Sequence, residues 1–227
     1  MPVRMGVAVA GDGARLCLVH VYSVRFSVVE ARRPAVRLDS MTNDEAMGRA
    51  LALAQQAAAE GDVPVGAVVL DAEGRVIGEG RNRREDNGDP LAHAEVLAMR
   101  QAARRRVAES GPIVATADAT GPRPDTDATG PGADAVRVGV ADARRAWNLA
   151  DCTLVVTLEP CPMCAGACLQ THIGCIVFGA WDAKLGACGS VWDIPRDPHI
   201  GHSPEVIGGV REGECAALLG EFFASRR

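Results

Sequence analysis

The stretch Thr157-Leu158-Glu159-Pro160-Cys161-Pro162-Met163-Cys164-Ala165-Gly166-Ala167 constrains this chain more than any other. Before it, Leu154-Val155-Val156-Thr157 is a short β-branched run that reads as a buried strand. After it, a helical pattern runs to about His172. Pro162 suits the first turn of that helix, because the amide a proline lacks has no intrahelical partner there. Cys161 and Cys164 then share the first turn, and at spacing i, i+3 their sulfurs face the same way. The positive end of the helix dipole favours their thiolates, and the thiolate is the form that binds metal. Two further ligands would complete a tetrahedral zinc site.

A third ligand lies upstream. His93-Ala94-Glu95 opens a second helix, with Asp89-Pro90 as its start signal. One histidine with two cysteines leaves a zinc position for water, the catalytic rather than the structural arrangement. Glu95, two residues from the histidine, is then placed to move protons without coordinating. Taken alone, Cys-x-x-Cys fits a redox dithiol or half of a structural zinc site equally well. A dithiol has no need of His93 and Glu95, and a structural site needs a second Cys/His pair, yet the sequence holds no other Cys-x-x-Cys. Cys168, one turn beyond Cys164, reads as a packing residue, since a fourth protein ligand would displace the water.

The rest of the chain supplies a frame for these pieces. Its 227 residues, 48% hydrophobic, suffice for one ample domain with appendages. No apolar run is long enough to span a membrane. Cys152, Cys168, Cys175 and Cys215 fall in apolar patterns as buried thiols do, which implies a reducing, cytoplasmic setting. The formal net charge is −5, and residues 1–40 carry six Arg against three acids, so the remainder is more acidic still. No global basic field is available for nucleic acid.

Residues 1–40 are a poor signal peptide, because Gly11-Asp12-Gly13 and His20 interrupt the apolar stretches. They read as a leader, disordered or not translated, with Met41 as the start of a domain over 41–227. Thr42-Asn43-Asp44-Glu45 is a capping box for a helix with an apolar stripe. Val63 to Leu70 and Val76 to Gly80 read as two strands joined by a turn at Asp71–Gly74. Gly66, Gly78 and Gly80 suggest close approach of a neighbouring backbone or ligand. Asn82 to Asp89 reads as a polar loop, and Leu91 to about Arg105 as the helix that carries the histidine. Residues 107–143, with the near-repeat Asp118–Pro122 and Asp127–Pro131, read as a disordered insertion. Cys175 to Gly179 is a further strand, 180–202 a long loop of the kind that is usually functional, Val206-Ile207 a last short strand, and Glu212 to about Ser225 a helix. This order predicts an α/β fold: a three-layer α-β-α sandwich with a mixed central sheet of about five strands.

Residues 42–105 and 146–227 resemble the bacterial tRNA-specific adenosine deaminases of the cytidine deaminase-like superfamily. His-x-Glu with Pro-Cys-x-x-Cys is the known signature of zinc nucleobase deaminases and specifies only the superfamily. The flanking pieces carry the narrower likeness: Val63–Val68, Val76–Gly80, Asn82-Arg83, Asp89–Glu95, Val156–Cys161, Met163–Ala167, Phe178–Ala180, Asp182-Ala183-Lys184, and Glu214–Leu219 with Phe222-Phe223. The resemblance implies a homodimer with one Zn2+ per subunit, held by His93, Cys161 and Cys164. It implies hydrolytic deamination of adenosine to inosine at the wobble position of a tRNA anticodon stem-loop, with Glu95 as the proton carrier. By the same match Asn82 would bond the flipped base, Val65-Gly66-Ala67 would form one pocket wall, and Asp182, Lys184, Phe222 and Phe223 would touch flanking nucleotides. Arg84 stands where a proline often follows Asn-Arg, and Trp181 where a basic residue precedes the aspartate. Arg81, Arg83, Arg84, Lys184, Arg226 and Arg227 are the candidate cations around the rim. A small-molecule guanine, cytosine or cytidine deaminase would share the metal site and is the alternative reading.

Overall fold

Helix α1 (Asn43–Ala59) begins where the capping box places it: the Glu45 N–H donates to Thr42 Oγ1 at 3.3 Å and the Thr42 N–H donates back to Glu45 Oε2 at 2.8 Å. Its buried positions, Ala46, Met47, Ala50, Leu51, Ala54 and Ala57, form one stripe at helical spacing. These details come from a computed structural model, which describes residues 40–110 and 147–226. The expectations for the leader and for most of the insertion lie outside the described residues.

The elements that follow are β1 (Gly66–Leu70), β2 (Val76–Arg81), a one-turn helix α2 (Arg84–Asn87), α3 (Ala94–Glu109), β3 (Thr153–Leu158), α4 (Pro162–Gln170), β4 (Cys175–Ala180), a 3-10 turn (Ile194–Arg196), β5 (Glu205–Ile207) and α5 (Glu212–Ala224). The five strands form one sheet in the order β2-β1-β3-β4-β5. Both β2 and β3 run antiparallel to β1, so they are parallel to each other; β4 and β5 continue parallel to β3. The carboxyl ends of β2, β3 and β4 therefore share one edge of the sheet, and the loops leaving them meet there.

Helices cover both faces, as the element order predicts. On one face α3 and α4 bury Ala98, Met99, Ala102, Ala165 and Cys168 against Val69, Leu154, Val156, Ile176 and Phe178. On the other, α1 and α5 bury Met47, Ala50, Leu51 and Cys215 against Val68, Leu70, Val155 and Val177. β1 is buried at all five residues because it has strands on both sides and helices on both faces. Each buried Val, Leu or Ile contributes about 1.5–3 kcal/mol. The expected close approach is made by helix backbone: a Cβ on Gly66 would lie 2.0 Å from the Ala50 carbonyl oxygen, and one on Gly78 2.2 Å from that of Ala98.

Several boundaries differ from the sequence reading: β1 begins at Gly66 rather than Val63, and α3 at Ala94 rather than Leu91. Within Asn82–Asp89, read as loop, residues 84–87 form a helical turn that Gly88 ends in the left-handed region at φ 59°. The helix carrying the histidine runs on through Val107, Ala108 and Glu109, three residues assigned to the insertion. Its last turn is a run of good helix formers, and Arg105 pairs with Glu109 at 2.9 Å across one turn.

Candidate active site

The end of β2 delivers the first half of the site. The Asn82 N–H donates to the Val65 carbonyl at 3.0 Å, and the Arg83 N–H to that of Ala92 at 3.0 Å, so the segment folds back on itself. Asn82 is buried, and its Oδ1 accepts from the Ala94 N–H at 3.0 Å. That bond occupies an amide that α3 itself leaves unpaired, and it leaves the Asn82 –NH2 as the donor facing the cavity. His93 is the residue just before α3, extended at φ −76° and ψ 149°, and it lines the cavity.

The end of β3 delivers the second half. Cys161 caps α4, with Pro162 in its first turn, and Cys164 lies fully buried one turn in. His93 Nδ1 stands 3.5 Å from Cys164 Sγ and 3.8 Å from Cys161 Sγ. All three donor atoms lie within 4.8 Å of one another. Tetrahedral bonds of about 2.0 Å to nitrogen and about 2.3 Å to sulfur give N···S edges of about 3.6 Å. One nitrogen and two sulfurs at these separations fit a zinc ion. Of the two sulfurs Cys161 is the ready thiolate: hydrogen bonds from Cys164 first, then from His93, draw its thiol down to about 4, while that same bond to Cys161 and burial push Cys164 up, so a metal would have to displace its proton. The Cys161 sulfur raises His93.

Glu95 adds what a ligand triangle alone lacks. It is buried, and its Oε2 has no hydrogen-bond partner, alone in this among the buried side-chain atoms of the described residues. A buried carboxylate oxygen left without a partner costs free energy unless a ligand or water meets it. Burial holds its carboxyl above the ordinary glutamate value. It faces a cavity of about 370 Å3, within the range of small-molecule sites.

The structure sorts the other expected site residues. Val65, Asn82, Asp182, Lys184 and Phe223 line the cavity with His93, Glu95 and Cys161. Gly66, Ala67 and Phe222 do not. Gly66 is pressed against α1, and Ala67 is wholly buried in the core on the α3 and α4 side. Phe222 is buried under the Arg226 guanidinium, 4.0 Å from its ring centre, while Phe223 is 49% exposed.

Glu159 is the participant that residue patterns did not single out. It is buried at the end of β3, two residues before Cys161. Its Oε1 accepts from the Cys188 and Ser190 N–H groups at 2.9 and 3.0 Å; its Oε2 accepts from the Asp182 N–H at 3.0 Å and from the Ser190 hydroxyl. One carboxylate thus fastens the loop 182–190 along the cavity. A Cβ on Gly186 would fall 2.2 Å from Glu159 Oε2, so the loop passes where only glycine fits. The one available sequence signal was an acid ending an otherwise apolar strand.

Comparisons with known proteins agree with this geometry. The family model for the cytidine and deoxycytidylate deaminase zinc-binding region matches residues 40–180. The tRNA-specific adenosine deaminase of Haemophilus influenzae is 36% identical over 193 residues, which are 85% of this chain and 90% of that protein. The tRNA(Ile)-lysidine synthase of Deinococcus radiodurans is 46% identical over 182 residues, 80% of this chain. The chain spans only about a quarter of the length of that protein and of its Deinococcus deserti counterpart. A structure solved in work on A-to-I editing by tRNA:A34 deaminases at the wobble position of transfer RNA superposes with TM-score 0.56 at 30% identity, covering 76% of this chain and 97% of that one. Zinc is therefore the metal that His93, Cys161 and Cys164 are suited to hold. The chain belongs to the cytidine and deoxycytidylate deaminase zinc-binding family, where it stands with the tRNA-specific adenosine deaminases.

Proposed function

We propose that this protein is a zinc-dependent hydrolase that converts adenosine to inosine at the wobble position of a tRNA anticodon stem-loop. The observation that carries the reading is the partnerless Glu95 carboxylate oxygen, buried at the cavity beside the His93, Cys161 and Cys164 donors. The Haemophilus influenzae and Bacillus subtilis relatives, both named tRNA-specific adenosine deaminase, support the choice of substrate; the chain covers 90% and 92% of them.

Zinc, when bound, lets a water ionise near neutral pH. Glu95 takes one proton from the attacking water and hands it to the ring nitrogen, which keeps it, and then takes the second from the new C6 hydroxyl and hands it to the departing amine. The water oxygen bonds to C6, the C6–N bond breaks, ammonia leaves, and the oxygen becomes the inosine carbonyl. Asn82 offers an N–H to the base, held in place by the bond its oxygen makes to Ala94. Val65 and Leu158 give the cavity apolar walls that exclude further water.

Catalysis is assigned to residues 41–227, with the leader and the insertion outside the catalytic core. The protein is taken to act in the cytoplasm as a homodimer with one zinc per subunit. In support of a dimer, Trp181, Leu185, Val191 and Trp192, all from one stretch of loop, are 44–54% exposed, a surface of the kind that a second subunit covers. The deciding experiment compares inosine formation in an anticodon stem-loop with ammonia release from free adenosine, guanine, cytosine and cytidine. Turnover of the stem-loop is the expected result. Turnover of a free compound alone would replace this reading with a small-molecule deaminase.

A further inference from the structure

The cavity opens where β1 and β3 part. The two strands pair antiparallel from Leu70 with Thr153 as far as Ala67 with Val156. Gly66 and Thr157 stand opposite each other at the next position, and just beyond them Val65, Leu158 and Glu159 line the cavity. At that last position a side chain makes the hydrogen bond: the buried Thr157 Oγ1 accepts from the Gly66 N–H at 3.2 Å.

The Gly66 N–H and the Val65 carbonyl are the two ends of one peptide unit, which is a rigid plane. Thr157 holds the N–H end. The carbonyl end accepts from the Asn82 N–H at 3.0 Å. Asn82 Oδ1 accepts in turn from the Ala94 N–H at 3.0 Å, next to His93. A line of hydrogen bonds thus runs from β3, four residues before Cys161, across the start of β1 to the start of α3. Bonds in such a chain polarise and strengthen one another. The plane is also backed against α1, since a Cβ on Gly66 would lie 2.0 Å from the Ala50 carbonyl oxygen. Packing alone does not call for a threonine here. Valine fills nearly the same space and suits a buried strand, as Val155 and Val156 do beside it; what the hydroxyl adds is an acceptor for Gly66.

Resting on the reading of Asn82 as a donor to the base, we propose that Thr157 is a positioning residue for the deamination. Acting through the Val65–Gly66 peptide, its hydroxyl holds the Asn82 amide, and with it the base, in register with Glu95 and the metal donors. The two halves of the site are then set against each other by this bond as well as by the sheet.

The test uses full-length, zinc-loaded protein and the anticodon stem-loop. Thr157→Val keeps the bulk and removes the acceptor. Its kcat should fall by up to about 10²-fold, the loss that a misplacement of about 1 Å brings, while KM and zinc content stay near wild type. Thr157→Ser, which keeps the hydroxyl, should restore kcat. In an Asn82→Ala background Thr157→Val should cost nothing further, because the two residues act as one unit. Amide hydrogen exchange, which needs no turnover, should quicken at Gly66, Asn82 and Ala94 in Thr157→Val and stay unchanged in α4. Thr157→Ala takes the place of the valine variant in every measurement if that variant does not fold. An unchanged kcat, an effect confined to KM, a full further loss in the Asn82→Ala background, or exchange quickened throughout the molecule overturns the proposal and leaves Thr157 a packing residue. The two readings fail separately: a Thr157 dependence seen only in deamination of a free base or nucleoside refutes RNA editing and keeps the positioning role, whereas stem-loop editing indifferent to Thr157→Val does the reverse.

Discussion

On the floor of the cavity, His93, Glu95, Cys161 and Cys164 each stand at the start of a helix whose later turns pack on the sheet; the wall from Asp182 to Ser190 has neither helix nor strand and hangs on Glu159. The floor inherits its geometry from α3 and α4, which bury Ala98, Met99, Ala165 and Cys168 in a shared core. The wall takes its side-chain ties from one carboxylate, helped by the Ala187 N–H on the Pro160 carbonyl at 2.9 Å and by the burial of Ala187 and Cys188. The reacting atoms are thus placed by the part of the molecule that is hardest to deform, and the substrate is met by a part that a single substitution can release.

The largest expected effect lies on the floor. Glu95→Ala should keep zinc, because its neighbour His93 already supplies the ligand, and should lose about 10²–10⁴-fold in turnover. Cys161→Ala should lose metal and turnover together. Metal analysis beside an inosine assay separates the two, and a zinc-free Glu95→Ala protein would end the division of roles.

Next comes the wall. Glu159→Gln replaces acceptor lone pairs with an –NH2 facing the Asp182 and Ser190 donors. A buried donor without an acceptor costs about 1–3 kcal/mol, so the loop should come loose. The stem-loop KM should rise while zinc content and single-turnover chemistry hold. If zinc is lost with the loop, floor and wall are one unit and the contrast fails.

The smallest effect concerns what holds the floor together from behind. Arg106, near the end of α3, forks onto both oxygens of Asp151 at 2.6 and 2.9 Å, linking the helix that carries His93 to the approach of the strand that carries Cys161. The Arg106 hydrogen bond holds the Asp151 carboxyl below its usual 3.8. A carboxylate with a lowered folded value stabilises the fold above the ordinary value and loses that contribution as pH falls through the lowered one. The Arg106 and Asp151 side chains are 29% and 48% exposed, so the pair is worth less than ~1 kcal/mol. Asp151→Asn should lower Tm by no more than about 2–4 °C at pH 7, and the difference should shrink as pH falls below 3.8 and vanish once Asp151 is protonated in the folded protein. A gap that persists in acid would mean that packing, not charge, is the link.

How much of this was legible depended on the range of each contact. The floor could be read because each half is written within a few residues: His93 with Glu95 at one helix start, Cys161 with Cys164 at another. The sheet only had to bring the carboxyl ends of β2 and β3 to one edge. The wall could not be read, because Glu159 binds backbone N–H groups 23 to 31 residues downstream, and a backbone amide carries no residue identity. Phe222 and Phe223 looked equivalent as neighbours, yet a 100° step around α5 buries one and presents the other. Arg81, Arg83 and Arg84 looked like one basic patch until Glu60, 21 residues earlier, proved to occupy the first. The backbone positions of Gly66, Gly78 and Gly80 were legible because glycine in a strand has few other uses.

The metal donors also join points 68 and 71 residues apart along the chain, across β1, the strand that lies between β2 and β3. An ion held there acts as a cross-link, and the entropy of closing a flexible loop grows only with the logarithm of its length; doubling the loop costs about 0.6 kcal/mol. Chain added between α3 and β3 therefore weighs almost nothing against the clasp. Relatives of this protein are free to differ widely in that span while keeping the same centre, so a search that fixes the distance from histidine to cysteines would pass them by, and one that fixes each short half separately would find them.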